Sequence, residues 1–344
     1  MNLDTVLPKV RKYLEQRKLT NLDSWHPSQP FEVSPLAQGE YNLNYLVCQD
    51  SREWVFRVNI ASQIGREDQI SYEYETLKLL EKTGNTPEAF FCDKSKTRLP
   101  YGVLVMEYLP GEPLDYRRDI GKAARLFARI HNQKFAEKPR HLLNEKQPLS
   151  MMFEECRQLL AVYLQSTMAE EEISNYLRKV MQWASKAKDR ENFFIEHPVR
   201  CVINTEVNSH NFIVNRKKKS IHLVDWEKPL WGDPSQDLSH FCAPTTTKWK
   251  TEYVMSPKER KKFLATYCSC LEDQGLKSSI RYRVKLRDPF NYLRGISWSA
   301  MAWVEYQTGK HQVKNEDTFH KIEQYLDLEF LHFLFDGFLA PGQT

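Results

Sequence analysis

No stretch of this chain approaches the roughly 18 consecutive apolar residues that a membrane-spanning helix requires. The opening segment, MNLDTVLPKVRKYLEQRK, is charged and amphipathic, with no apolar run of the secretory kind. A soluble, cytoplasmic protein with no membrane partner is the expectation. Neither sign of charge dominates: 49 Lys and Arg stand against 45 Asp and Glu, a formal net charge of +4. That balance asks for no nucleic acid partner. The one compact basic run, Arg216 to Lys219, lies between two strand-like segments and reads as a solvated turn. Cysteine is scarce, with seven in 344 residues. Only Cys268 and Cys270 are close together and no second pair supplies a zinc-ligand spacing, so buried reduced thiols are expected. Internal repeats and low-complexity segments are also absent.

What is present is enough apolar material for a large interior, 41% hydrophobic and 12% aromatic residues. The length exceeds what one simple core holds and points to two domains or a two-lobed unit. Residues 31 to 60 alternate aromatic and β-branched with polar side chains and read as a hairpin with its turn around Asp50 to Arg52. From Gln63 to Lys82 the spacing turns helical, with Ile70, Tyr74, Leu77 and Leu80 on one stripe, and TGNTP closes it. The segment YGVLVMEYL is almost wholly apolar and reads as a buried central strand ending at the turn-rich PGEPL. Helical patterns dominate beyond it, with Ile120, Ala124, Phe127, Ala128 and Ile130 or His131 along one face. They continue through residues 151 to 188, and one β interruption lies between 199 and 229. The expectation is an α+β chain with a small β-rich lobe over 1–108 and a larger, mainly helical lobe over 109–344.

Three places carry candidate chemistry. Ser220 to Val224 form a short strand that delivers the carboxylate of Asp225 at its end, where a hard divalent cation can be held by oxygen ligands. Taken alone, Asp225 reads equally as a turn residue. The segment NTEVNSHNFIV places Glu206 and Asn211 on one loop feeding the strand Phe212 to Val214. A carboxylate near an attacking hydroxyl and an amide oxygen on a metal are tools of phosphoryl transfer, while a loop of Asx turns is the competing reading. In the first lobe, Arg57 is a lone charge between Phe56 and Val58. Either it sits on the solvent side of an edge strand, or Glu73 or Glu75 on the following helix pairs with it.

Together these residues resemble the aminoglycoside phosphotransferase and choline kinase superfamily, over roughly residues 34 to 310. LAQGEYNLNYLV resembles that family's nucleotide loop, which would place Gly39 and Asn42 at the nucleotide, although its single Gly makes a poor match to G-x-G-x-x-G. WVFRV is similar to the family's third strand, with Arg57 for the usual Lys and Glu73 as its helix partner. VLVMEYLPGEPL matches the strand and linker whose backbone holds the adenine, implying Glu107, Tyr108 and Leu109. LVDWEKPLWGDPSQDL is the most specific match, with the magnesium motif at Asp225 and the trailing Gly232, Asp233, Pro234 and Asp237. The resemblance implies the bilobal protein-kinase-like fold, ATP and Mg2+ as cofactors, and Asn211 and Asp225 as metal ligands.

One loop departs from the pattern. Where relatives read His-Gly-Asp-Leu-His-Pro-x-Asn, this chain reads Asn204-Thr205-Glu206-Val207-Asn208-Ser209-His210-Asn211. The catalytic position therefore falls on Glu206. Its intrinsic pKa differs from that of Asp by only about 0.4 unit, but its extra methylene moves the carboxylate by a little over about 1 Å. Misplacement of that size costs roughly 10²-fold where positioning supplies most of the catalysis. The metal and nucleotide clamps are kept, which favours an active kinase. The alternative is a nucleotide-binding pseudokinase or regulatory protein.

The acceptor is expected to be a hydroxyl on a small, amine-bearing molecule. Residues 293 to 309 resemble the aromatic helix that shapes the substrate cavity of choline kinase relatives, and there Trp298, Trp303 and Tyr306 offer ring faces to a cation. Trp298 and Trp303, five apart, fall on different faces of a helix, so packing is the competing role for at least one. Glu305, Asp237 and Glu227 are the carboxylates available to an amine.

Overall fold

The computed structural model describes residues 2–17, 19, 22, 24–39, 41–62, 64–309 and 316–340. Glu40 of the expected nucleotide loop and Gln63, the expected helix start, lie outside them. Along the chain come α1 (Leu3–Glu15), β1 (Glu32–Gln38), β2 (Asn42–Gln49), β3 (Arg52–Asn59) and α2 (Gln69–Leu80). Next are β4 (Ala89–Asp93), β5 (Gly102–Glu107), β6 (Glu112–Pro113), α3 (Tyr116–His131), β7 (Leu143–Asn144), α4 (Pro148–Leu164), α5 (Glu171–Ala187) and α6 (Asn192–Glu196). The strands β8 (Cys201–Ile203), β9 (Phe212–Asn215), β10 (Ser220–Leu223) and β11 (Leu230–Gly232) precede α7 (Ser235–Cys242) and α8 (Pro244–Thr247). Four helices close the chain: α9 (Pro257–Cys270), α10 (Gln274–Gln307), α11 (Glu316–Tyr325) and α12 (Leu328–Leu339).

These elements form two compact units. Unit 1 takes the chain up to Leu114 together with Phe135–Leu143 and Asn211–Pro229, and unit 2 takes Asp115–Lys134, Asn144–His210 and the chain from Leu230 onward. The first unit thus reaches beyond residue 108 and recruits the β9–β10 hairpin from far along the chain.

Unit 1 is built on an antiparallel sheet in the order β1-β2-β3-β5-β4. The segment 31–60 is three strands rather than the two of a hairpin. The chain turns after β1, where the Gly39 amide donates to the Asn42 carbonyl at 2.9 Å. β5 lies between β3 and β4, which accounts for its apolar sequence. One face of the sheet is covered by α1: the Tyr45 hydroxyl donates to the Leu3 carbonyl at 2.8 Å, and the Tyr13 and Phe56 rings meet edge-on at 5.6 Å. The other face carries α2, which starts at Gln69, after Gly65 takes a left-handed φ of 68°. Its approach is close, since a Cβ on Gly102 would lie 2.6 Å from Ile70 Cγ2. The basic run Arg216–Lys219 forms the turn between the paired strands β9 and β10, with Lys219 at φ 55°.

Unit 2 is mainly helical. Its axis is α10, 34 residues long, whose Phe290, Leu293, Ile296 and Ala300 are buried with Leu149, Cys156 and Leu160 of α4 and Leu177 and Val180 of α5. The helical stretch 151–188 divides into α4 and α5 around 165–170. β8 pairs antiparallel with β11, Val202 opposite Trp231. Buried ion pairs anchor α10 to the segments on either side of this ribbon: Arg283 pairs with Asp233 at 2.6 Å and Arg287 with Glu145 at 2.6 Å, all four buried. The described cysteines are all free thiols. No described helix is long and apolar enough to cross a membrane.

Candidate active site

Within unit 1, β3, α2 and the end of β10 converge on Arg57. It is 5% exposed, not on the solvent side of an edge strand. Its Nη1 meets Glu73 Oε1 at 2.5 Å and Asp225 Oδ1 at 3.0 Å, and its Nε donates to Asn44 Oδ1 at 3.0 Å. Burial alone would depress the charged form, but Glu73 and Asp225 outweigh it and hold the guanidinium above its ordinary range. The partner is Glu73, since Glu75 points outward beside His141. An arginine in an apolar strand is tolerated because two carboxylates and an amide satisfy its fork of donors.

Asp225 takes a left-handed φ of 64°, which turns the chain as it leaves β10. Its neighbour Trp226 is fully buried and donates from Nε1 to the Leu223 carbonyl at 2.9 Å, anchoring the turn. Asn211, at the entrance to β9, accepts at its carbonyl from the Val224 amide at 2.8 Å, so the hairpin brings it beside the strand end that carries Asp225. Glu227 is buried and bonded to the Asn42 side chain, and Asn42 Oδ1 accepts from Asn59 Nδ2 at 3.0 Å. Asn42 of the expected nucleotide loop is therefore tied to the Asp225 segment. Gly39 is exposed at the turn. Tyr45 points to the opposite face, into the core with α1. Glu107, Tyr108 and Leu109 follow one another, half-buried, at the end of β5, and the Glu107 amide donates to the Glu88 carbonyl at 2.8 Å.

Within unit 2, Glu206 follows β8 on a loop held from several sides. Asp237 is 1% exposed, and its two carboxylate oxygens accept from the amides of Asn204 at 2.9 Å and Thr205 at 2.8 Å. His131 Nε2 lies 3.3 Å from the same carboxylate. The Asn204 side chain accepts from the Glu206 amide at 3.0 Å, closing an Asx turn. The Thr205 carbonyl accepts from His240 Nδ1 at 2.8 Å and Arg294 Nη1 at 3.3 Å, and Arg294 Nη2 stands 3.7 Å from Glu206 Oε1. The two motifs read from sequence as separate features, the Glu206 loop and the trailing Asp237, are joined by these bonds.

Thr205, a β-branched residue, is held at φ 72°, where such side chains rarely go. Gly and Ala at this position both remove the buried side chain, but only Gly relieves the backbone. Thr205→Gly is therefore expected to be more stable than Thr205→Ala by about 1 kcal/mol, the reverse of their order in regular helix. Denaturant midpoints of the two variants check this; Ala at or above Gly would contradict it.

The expected substrate side chains are differently disposed. Asp237 is committed to the loop amides and Glu227 to Asn42, so neither faces an amine. Trp303 packs edge-on against Tyr163 at 5.7 Å, and Tyr306, buried, stacks on Phe319 at 5.3 Å. Trp298, half-buried, meets Trp249 edge-on at 5.3 Å, and Glu305 is half-buried on the same helix. Residues the sequence reading passed over include His131, His240, Glu155 and Arg294. Arg294 carried a signal, a lone cation between Leu293 and Ile296 in an otherwise apolar stretch, of the kind that exposed Arg57.

A family profile described as the phosphotransferase enzyme family matches residues 32–275. A sequence comparison with curated proteins finds no match. Among solved structures, choline kinase from Cryptosporidium parvum is 14% identical with a TM-score of 0.65, covering 99% of this chain and 98% of that one. Ethanolamine kinase of Plasmodium vivax is 13% identical with a TM-score of 0.62, covering 96% and 90%. A spectinomycin phosphotransferase, solved with ADP and spectinomycin, is 11% identical with a TM-score of 0.55, covering 90% and 93%. At these identities the likeness shows the fold, α+β and protein-kinase-like. With the profile spanning more than half of its length, the chain belongs to the phosphotransferase enzyme family and is an enzyme of that small-molecule kinase class.

Proposed function

We propose that this enzyme uses ATP and Mg2+ to phosphorylate a hydroxyl of a small, amine-bearing molecule. The observation that carries the reading is the Arg57–Glu73–Asp225 constellation, two buried charges and a half-exposed carboxylate held by three separate elements. In phosphoryl transfer each member of such a group has its own part. The cation steadies phosphate oxygens, one carboxylate holds the cation in place, and the other remains for a metal. Asp225 and Asn211 offer hard oxygen donors, and the Asp225 side chain keeps 29% of its surface exposed. No described group of three or more His, Cys, Asp or Glu makes a cage. That donor set suits Mg2+, which keeps waters and binds through one or two protein ligands plus substrate phosphates. Bound there, Mg2+ would neutralise charge developing on the phosphates.

Gly39 and Asn42 would cover the nucleotide. The Glu107 amide is engaged with Glu88, so base contacts would fall to the Glu107 carbonyl and the backbone of Tyr108 and Leu109. Glu206 would orient the acceptor hydroxyl and take its proton as the acceptor oxygen bonds to phosphorus and the bond to the departing ADP breaks. The names of the neighbours favour an amine-bearing acceptor, since choline and ethanolamine are amino alcohols. Trp298, with Glu305 on the same helix, is the aromatic side chain placed to meet a cation. A cytoplasmic location without nucleic acid or membrane partners completes the reading.

The test is ADP release from MgATP against amino alcohols, aminoglycosides, sugars and nucleosides. Turnover on an amine-bearing alcohol is expected, with Glu206→Gln lowering kcat by roughly 10²–10⁴-fold while thermal stabilisation by MgATP persists. Stabilisation by MgATP with no release on any compound would instead make the chain a nucleotide-binding pseudokinase.

A further inference from the structure

We infer that Arg294 is the positioning residue for Glu206, and that the loop is built for glutamate, so that the aspartate usual in relatives would serve worse here. The inference rests on the reading of Glu206 given above. Arg294 projects from α10 with 14% of its side chain exposed and engages three points. Its Nε donates to Glu155 Oε1 on α4 at 3.2 Å, its Nη1 to the Thr205 carbonyl at 3.3 Å, and its Nη2 lies 3.7 Å from Glu206 Oε1. A planar guanidinium fixed at two of these points has its remaining donors aimed by geometry rather than by chance.

The base of the Glu206 side chain is equally constrained. Its amide is held by Asn204, and the preceding residue is locked by Asp237, His240 and a left-handed backbone. With both ends defined, side-chain length is the remaining variable. One methylene less withdraws the carboxylate by about 1.3 Å, which takes the 3.7 Å approach to Arg294 out to about 5 Å. That lies beyond ion-pair contact. A shorter carboxylate would also stand farther from any hydroxyl that Glu206 reaches. Burial opposes the charge on Arg294, yet Glu155 and Glu206 together keep its pKa above the ordinary range, so the group stays cationic throughout the working pH range.

The test uses the full chain with MgATP, water serving as the acceptor of basal hydrolysis. Glu206→Asp and Arg294→Met are each expected to lower kcat by roughly 10²-fold, with KM for ATP and thermal stabilisation by MgATP unchanged. Arg294→Lys recovers part of the loss, and the double variant Glu206→Asp/Arg294→Met is little worse than either single one. Amide hydrogen exchange at Thr205 and Glu206 accelerates about 10-fold or more in Arg294→Met, while Val202 and Ile203 keep their protection. A Glu206→Asp variant as fast as wild type or faster overturns the proposal, as does full additivity or unchanged exchange at the two loop amides. If the wild type hydrolyses no more ATP than Asp225→Asn, the phosphotransfer reading fails with it. The exchange data then decide separately whether Arg294 holds the loop.

Discussion

Replacing Asp225 with Asn is expected to abolish Mg2+-dependent turnover, lowering kcat/KM for ATP by about 10²–10³-fold, while leaving the fold intact. Asn is the right replacement because residue 225 sits at φ 64°, a conformation that Asn tolerates and Ala does not. The change keeps shape and one oxygen but removes the charge that a hard cation needs. It also removes a partner of Arg57, at 3.0 Å, but Glu73 stays at 2.5 Å, so the buried guanidinium is not left alone. In wild type, MgATP at 100 times its dissociation constant should stabilise the chain by about 2.7 kcal/mol. In Asp225→Asn most of that Mg2+-dependent increment should vanish at the same concentrations. Melting curves with ATP in the presence and absence of Mg2+ make the measurement; a Mg2+-dependent increment equal to that of wild type would remove Asp225 from the metal site.

Asp237→Ala should do the opposite, damaging the fold first and catalysis with it. Asp237 accepts from two buried backbone amides and stands beside His131, with 1% of its surface exposed. Truncation leaves the amides of Asn204 and Thr205 without that acceptor, and an unsatisfied buried donor costs about 1–3 kcal/mol. The sum, about 3–5 kcal/mol, is a large part of the 5–15 kcal/mol that typically separates folded from unfolded chains. Asp237→Asn should recover only part, because one of its two positions would turn a donor toward a donor. Denaturant midpoints followed by tryptophan fluorescence check the order wild type, Asn, Ala. A midpoint for Asp237→Ala within about 0.5 kcal/mol of wild type would mean that the loop does not depend on this carboxylate.

Much of the architecture could be read along the chain. β5 showed itself as an unbroken apolar run because strands cover both its edges, and α3 by the spacing of Ala124, Phe127 and Ile130. The break between β1 and β2 was missed. It depends on a turn closed from Gly39 to Asn42, and local alternation continues across it without a change of period. The packing roles of Trp303 and Tyr306 were open in the sequence and were settled by partners on other elements, Tyr163 and Phe319.

The sequence by itself determined the family, the order of its motifs and the positions of Glu206, Asn211 and Asp225. These are local signals, a few residues long, that survive without knowledge of what lies opposite. Only the tertiary structure decided which charges are paired and which are not spare. Arg57 turned from an edge residue into a buried hub through contact with Asp225, 168 positions away. Asp237 turned from a candidate amine ligand into the anchor of a loop 33 positions back. Arg294 gained a role only when α10 carried it to a carbonyl 89 positions earlier. Electrostatic partnership depends on distances of about 3–4 Å between side chains, and residues far apart in the chain acquire such distances only when their elements pack.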